Sequence, residues 1–154
     1  MNARAIVLTM LLGLFGTSAC LAADANMGTW KLNEAKSTLI AGAAKNSTVV
    51  YSAAGDEIKV TVDGTTGDGK ALHNEWKGKF DGKDYPVTGD PVQDARAYRK
   101  IDDHTVEIDV KKAGKMLYSG RIVISADGKS RTITISGTDA SGKKVTSSGF
   151  YDKQ

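Results

Sequence analysis

Beyond residue 27 the chain alternates between apolar and polar positions. IKVTV (58–62), VEIDV (106–110), RIVIS (121–125) and TITIS (132–136) place β-branched residues at every second position, the period of a strand with one covered face. Between these runs stand AGD (54–56), DGK (81–83), KAG (112–114), DGK (127–129) and SGK (141–143). Glycine supplies the positive φ of a tight hairpin turn, and each turn sets its flanking strands antiparallel. The pattern predicts about ten strands, near 28–32, 47–53, 57–63, 70–80, 84–88, 94–101, 104–112, 115–126, 130–138 and 143–151. Only NEAKSTLIAGAAKN (33–46) breaks it. That stretch is Ala-rich, with Asn33 placed to cap, and predicts one short helix or an irregular cap. A meander of ten strands leaves two bare edges unless the first strand pairs with the last. The fold class is therefore all-β, an antiparallel up-and-down meander closed as a β-barrel.

Strand parity then sorts the side chains. Ile58, Val60 and Val62 oppose Lys59 and Thr61, and Val106, Ile108 and Val110 oppose Glu107 and Asp109. Leu72, Asn74, Trp76, Gly78 and Phe80 fall on one face, with His73, Glu75, Lys77 and Lys79 on the other. A ten-stranded barrel is wider than the eight-stranded kind that side chains nearly fill. Aromatic residues make up 6% of the chain, so the barrel either keeps a cavity or flattens and packs solid. Trp30, in the first strand, is expected to plug the closed end. In DARAYRK (94–100) Arg96 shares a face with Tyr98, which would bring a guanidinium inside. The opposite parity would turn Ala95, Ala97 and Arg99 inward. Tyr118 alternates with Met116, Ile122 and Ile124. Pro86 and Pro91, the only prolines, bracket a strand that must be short, beside a gap in the barrel or in a rigid connection. These arguments select Tyr51, Trp76, Tyr85, Arg96, Tyr98 and Tyr118 as candidate ligand-binding residues.

The first residues add a different signal. Arg4 precedes an uncharged apolar run from Ala5 to Gly16, followed by small residues to Ala25. This is the layout of a secretory signal peptide, with cleavage after Ala22, Ala23 or Ala25. The expected organisation is a signal peptide over 1–23 and a single β-barrel domain over 24–154, exported to the periplasm or secreted. The apolar run is short for a membrane span. Cys20, the single cysteine, sits in TSAC, which offers lipidation as the alternative route. Either way no disulfide staples the domain, so its core must hold it alone. Lys+Arg number 21 against 18 Asp+Glu, for a net charge of +3, and the charges are interspersed. That distribution does not fit nucleic acid or a polybasic membrane surface.

Catalytic and metal-binding patterns are not found. His104 follows Asp102 and Asp103 at a turn, and His73 lies on the outer face. Neither belongs to a zinc or iron spacing, and DGTTGDG (63–69) lacks the further ligands of a calcium loop. No serine sits in a nucleophile elbow, and no glycine-rich loop precedes a helix. The expectation is a non-enzymatic protein with no cofactor and no metal.

GTW (28–30), opening a meander of this length, resembles the calycins and most of all the fatty-acid-binding proteins, whose chains end in a signature similar to Tyr151-Asp152-Lys153 here. GTWKLNEAKS, HNEWKGKFDGKDYPVTGDP (73–91) and YDKQ also resemble a group of small exported bacterial proteins, a likeness that carries no activity with it. The calycin resemblance implies a barrel holding a small hydrophobic or amphipathic molecule. Three family features are missing. The arginine two residues before the terminal tyrosine is Gly149, and residues 33–46 are too few for a two-helix lid. The lipocalin arginine that packs from the last strand across the early tryptophan has no counterpart after Arg131. The alternative is a solid-cored envelope module that meets another protein.

Overall fold

A computed structural model describes residues 24–138 and 142–154. The leader and Cys20 lie outside the described residues. Ten strands follow in chain order: β1 (Gly28–Leu32), β2 (Lys45–Ala54), β3 (Glu57–Thr65), β4 (Ala71–Gly78), β5 (Tyr85–Thr88), β6 (Ala95–Lys100), β7 (Thr105–Lys112), β8 (Lys115–Ile124), β9 (Ser130–Thr138) and β10 (Lys144–Lys153). Each pairs antiparallel with its neighbour in sequence, and β1 also pairs with β10, closing the barrel. The fold class read from the alternation is the fold observed. Closure removes both sheet edges, as the meander requires.

The region between β1 and β2 holds only one turn of 3₁₀ helix, Glu34–Lys36, with the Asn33 side chain accepting from the Lys36 amide. The rest is a strap tied along β10. Asn33 Nδ2 donates to Asp152 at 2.8 Å, Ser37 Oγ accepts from the Phe150 amide at 2.9 Å, and Thr38 bridges Ser148. The strap then turns across the barrel end. At Gly67 a Cβ would lie 2.0 Å from the Gly42 carbonyl oxygen, so the two backbones meet there with no room for a side chain.

β5 is short, as its proline predicts, with two paired positions on each side. One parity expectation fails in β8. Val110 pairs with Tyr118 but Lys111 pairs with Met116, so Leu117 is an extra residue in the ladder. The bulge reverses the face of what precedes it, and Met116 points outward at 52% exposure while Tyr118 keeps its inward side.

The outer face is charged and laced with ion pairs, such as Lys59–Glu75 at 2.6 Å, Lys77–Glu57 at 3.0 Å and Glu107 between Arg99 and Arg121. A membrane-spanning barrel carries an apolar band there instead. Inside, the closed end is built on Trp30, fully buried, with its indole Nε1 donating to the Asn26 carbonyl at 2.8 Å. The Arg131 guanidinium from β9 lies over the same ring at 4.7 Å, and over Tyr51 and Tyr151 at 4.8 and 5.1 Å. The arginine-on-tryptophan contact expected to be missing is therefore present, delivered by the penultimate strand. Arg131 shares the inward parity of Ile133 and Ile135, and closure carries it to β1. None of its three nitrogens has a hydrogen-bond partner among the described residues. The ring faces take that place, and a desolvated cation–π contact contributes about 2 kcal/mol.

Trp30→Ala is expected to cost roughly 3–5 kcal/mol, because it empties a buried aromatic site and uncovers Arg131. Urea unfolding of the variant and the wild type measures this. A loss under about 1 kcal/mol would contradict a structural role for the ring.

Candidate functional site

Beside the Arg131 cluster, whose Tyr51 and Tyr151 also border it, the interior is not filled. A cavity of about 100 Å³ lies beneath the strap. Val49, Val62, Ile108, Ile122, Ile133 and Ile135 form apolar wall, and four tyrosines, Tyr51, Tyr98, Tyr118 and Tyr151, bring rings and hydroxyls to it. Leu39 and Ala44 of the strap contribute at one end, with Asn46 and Ser147 beside them.

The polar centre of this space is Arg96. It pairs with Tyr85 on one side and Val110 on the other, and parity turns its side chain inward. The alternative, with Arg99 inward, is not what forms. Arg99 is exposed and bridges Glu107. Arg96 is 3% exposed and touches no carboxylate among the described residues. Its Nη2 donates to Gln93 Oε1 at 2.9 Å and to Asn74 Oδ1 at 3.4 Å. Nε donates to Gln93 Oε1 at 3.2 Å, and Nη1 to the Tyr98 hydroxyl at 3.3 Å. Behind the two amides stands Asp90, whose Oδ2 accepts from Asn74 Nδ2 at 2.9 Å and Gln93 Nε2 at 2.6 Å. The amide groups thus fix their oxygens toward Arg96 and pass the carboxylate's polarity inward without contact between the charges. Asn74 was on the inward face by parity. Gln93 and Asp90 lie in the β5–β6 turn, where no period reveals direction.

Of the six candidates read from the sequence, Tyr51, Arg96, Tyr98 and Tyr118 line the cavity. Trp76 and Tyr85 do not. Trp76 is buried in an aromatic layer with Phe80, Tyr85 and Tyr98, at centroid distances of 6.1, 5.7 and 4.7 Å, and its Nε1 donates to the Arg96 carbonyl at 2.8 Å. Tyr85 covers Gly78, where a Cβ would fall 2.4 Å from the ring, and donates to Asp81. Both residues support Arg96 from below rather than face the space. The groove beside Pro86, lined by Lys59, Glu75, Trp76, Lys77 and Thr88, shares no lining residue with the cavity. β5 pairs with both β4 and β6, so the prolines border no gap between these strands, and the cavity is lined at one end by Leu39 and Ala44 of the strap. Tyr151 is the aromatic lining residue left out of the six candidates, although its parity with Gly149 and Ser147 was available.

Among the described residues no group of three or more His, Cys, Asp and Glu side chains is placed to hold a metal ion. His73 is exposed, with Nδ1 at 2.6 Å from Asp63.

A closed ten-strand antiparallel meander, with a tryptophan of the first strand under an arginine and a cavity beside them, has the calycin-like fold that the sequence resemblance implies. No protein-family model matches the chain, and no curated protein matches it in sequence. A structure of EF1p2_mFAP2b bound to DFHBI is similar over 86% of this chain and 97% of that one, at 12% identity and a TM-score of 0.48. Lobster apocrustacyanin A1 is similar over 86% of this chain and 63% of its own, at 17% identity and a TM-score of 0.40. Neither likeness bears on what this chain binds.

Burial raises the hydroxyl pKa of Tyr151 to about 12, against the opposing pull of the Arg131 charge, and burial likewise raises Tyr98 beside Arg96. Both stay protonated in the fold after an unfolded tyrosine, with pKa about 10, has ionised. The stability they confer is fully present below about pH 10 and is lost as pH rises toward the folded values. For Tyr151 the loss amounts to roughly 2–3 kcal/mol. Denaturation at about pH 9 and about pH 11.5 should show the fall, and Tyr151→Phe should flatten it. An equal slope in wild type and variant would mean that Tyr151 ionises freely in the fold.

Proposed function

We propose that this chain is an exported, non-catalytic binding protein whose barrel holds a small hydrophobic or amphipathic molecule, with preference for an anion. The observation that carries the reading is Arg96. A buried guanidinium without a carboxylate is costly, since desolvation penalises the charge by several kcal/mol. Its partners here are neutral oxygens, three of its four bonds are longer than 3.1 Å, and one of its five N–H groups remains, on Nη1. An anionic group in the cavity would complete that set. Apolar walls with a few fixed polar groups suit a small-molecule site.

The second reading, a solid-cored envelope module, is favoured by the cavity's modest size. Native mass spectrometry of the protein purified from its host separates the two. A retained anionic molecule is expected, and Arg96→Met should weaken its binding by about 10- to 150-fold, the equivalent of 1.5–3 kcal/mol for a hydrogen bond to a charged group. A bare mass, with no saturable ligand of any class, would leave the solid-cored module. Circular dichroism checks that the variant keeps its sheet.

Export is the companion proposal, resting on residues 1–23. The mature N-terminus is expected after Ala22, Ala23 or Ala25, with no free thiol, by mass of the exported protein. A diacylated Cys20 would establish the lipoprotein route, and an N-terminus at Met1 in the exported fraction would overturn processing.

A further inference from the structure

Resting on the reading that the barrel binds a small anion, we infer that the ligand is a single-ring aromatic carboxylate and not a long-chain fatty acid. The first ground is size. An apolar cavity of about 150 Å³ accepts benzene, so about 100 Å³ is the scale of one ring, with its walls giving slightly. A second apolar pocket of about 100 Å³, with Ile40, Leu117 and Val145 in its lining, adjoins it at Tyr118 and Ile135, and even together the two are short for an extended acyl chain.

The second ground is that the closed end is stopped and the mouth is bridged by the strap. Toward the closed end the floor is the aromatic layer of Tyr51, Phe80 and Tyr98, with Phe80 stacked on Tyr98 at 5.1 Å and edge-on to Tyr51 at 6.3 Å. Toward the mouth, the strap is stapled to β10 by Thr38 and Ser148, which exchange amide–carbonyl bonds at 2.8 and 2.9 Å. Across the mouth its Gly42 carbonyl abuts Gly67. A tail leaving on the side of the β3–β4 turn would have to displace that backbone contact.

The third ground is the chemistry of the walls. Four tyrosine rings surround the space, and aromatic pairs gain from edge-to-face packing at centroid distances of about 4.5–7 Å. An acyl chain draws no such gain. Arg96 sets the polarity. The only carboxylate in its network, Asp90, stands behind the Asn74 and Gln93 amides and offers the guanidinium no oxygen of its own. A ring lying among the tyrosines with its carboxylate on Arg96 satisfies both parts of the cavity.

Benzoate, benzyl alcohol and laurate titrated into the ¹⁵N-labelled protein test this by chemical-shift change and calorimetry. Benzoate should saturate, with shifts at Arg96, Tyr98 and Tyr118. Benzyl alcohol should bind at least about tenfold more weakly, for want of the charged hydrogen bond. Laurate should not compete. Arg96→Met should remove the preference for benzoate over the alcohol, and Arg96→Lys, which keeps a cation, should retain part of it. Tighter binding of laurate than of benzoate would overturn this inference and leave the binding function standing. Equal binding of benzoate and benzyl alcohol would overturn the role of Arg96. No binding of any of the three, with a bare native mass, would overturn the binding function itself.

Discussion

Five residues of β1 carry the closure of the barrel. Trp30 sits opposite Lys153 of β10 and Val49 of β2, so the strand that begins the fold also joins its two edges. A five-residue strand has few hydrogen bonds with which to hold such a seam. The Trp30 ring adds what the backbone lacks, anchored by its indole N–H to Asn26 and covered by Arg131 from β9. Three strands and the first described turn are tied to one side chain. With no disulfide in the described residues, the seam depends on burial and on the attraction between a cation and three rings.

The same interior contains a second arginine handled in another way. The Arg131 guanidinium is enclosed by ring faces and has no hydrogen-bond partner among the described residues, whereas that of Arg96 is held by amide and hydroxyl oxygens. The difference follows from position. At the closed end Trp30, Tyr51 and Tyr151 converge and exclude other partners. Further along, the β5–β6 turn brings Gln93 and Asp90 over the interior, where oxygen acceptors are within reach. One guanidinium is sealed, and the other borders open space. The polar part of the interior is thus the candidate site and the aromatic part its support, with the Trp76 indole bonding the Arg96 carbonyl to fix the backbone that carries it.

Period two made most of this legible. Alternation located ten strands, turn glycines made them antiparallel, and parity turned Trp30, Asn74, Trp76 and Tyr98 inward, all now buried. Parity also offered Arg96, with Arg99 as its rival for the interior. It does not survive a bulge. The extra residue at Leu117 put Met116 outside, and nothing in the residues KMLYS announces it. The turn residues Asp90 and Gln93 were silent because a turn has no period.

What the sequence determined by itself is therefore local: strands, hairpins, the inward set, and the need for the first strand to meet the last. Those follow from backbone geometry repeating every second residue. What only the tertiary structure decided is which inward residues meet. Arg131 is 101 positions from Trp30 in sequence and 4.7 Å from it in space, because closure brings β9, β10 and β1 side by side. Likewise Trp76 and Tyr85 share the interior with Tyr118 yet miss the cavity, since their height along the barrel places them in the aromatic layer. Height and neighbour depend on stagger summed around ten strands, and no single strand encodes that sum.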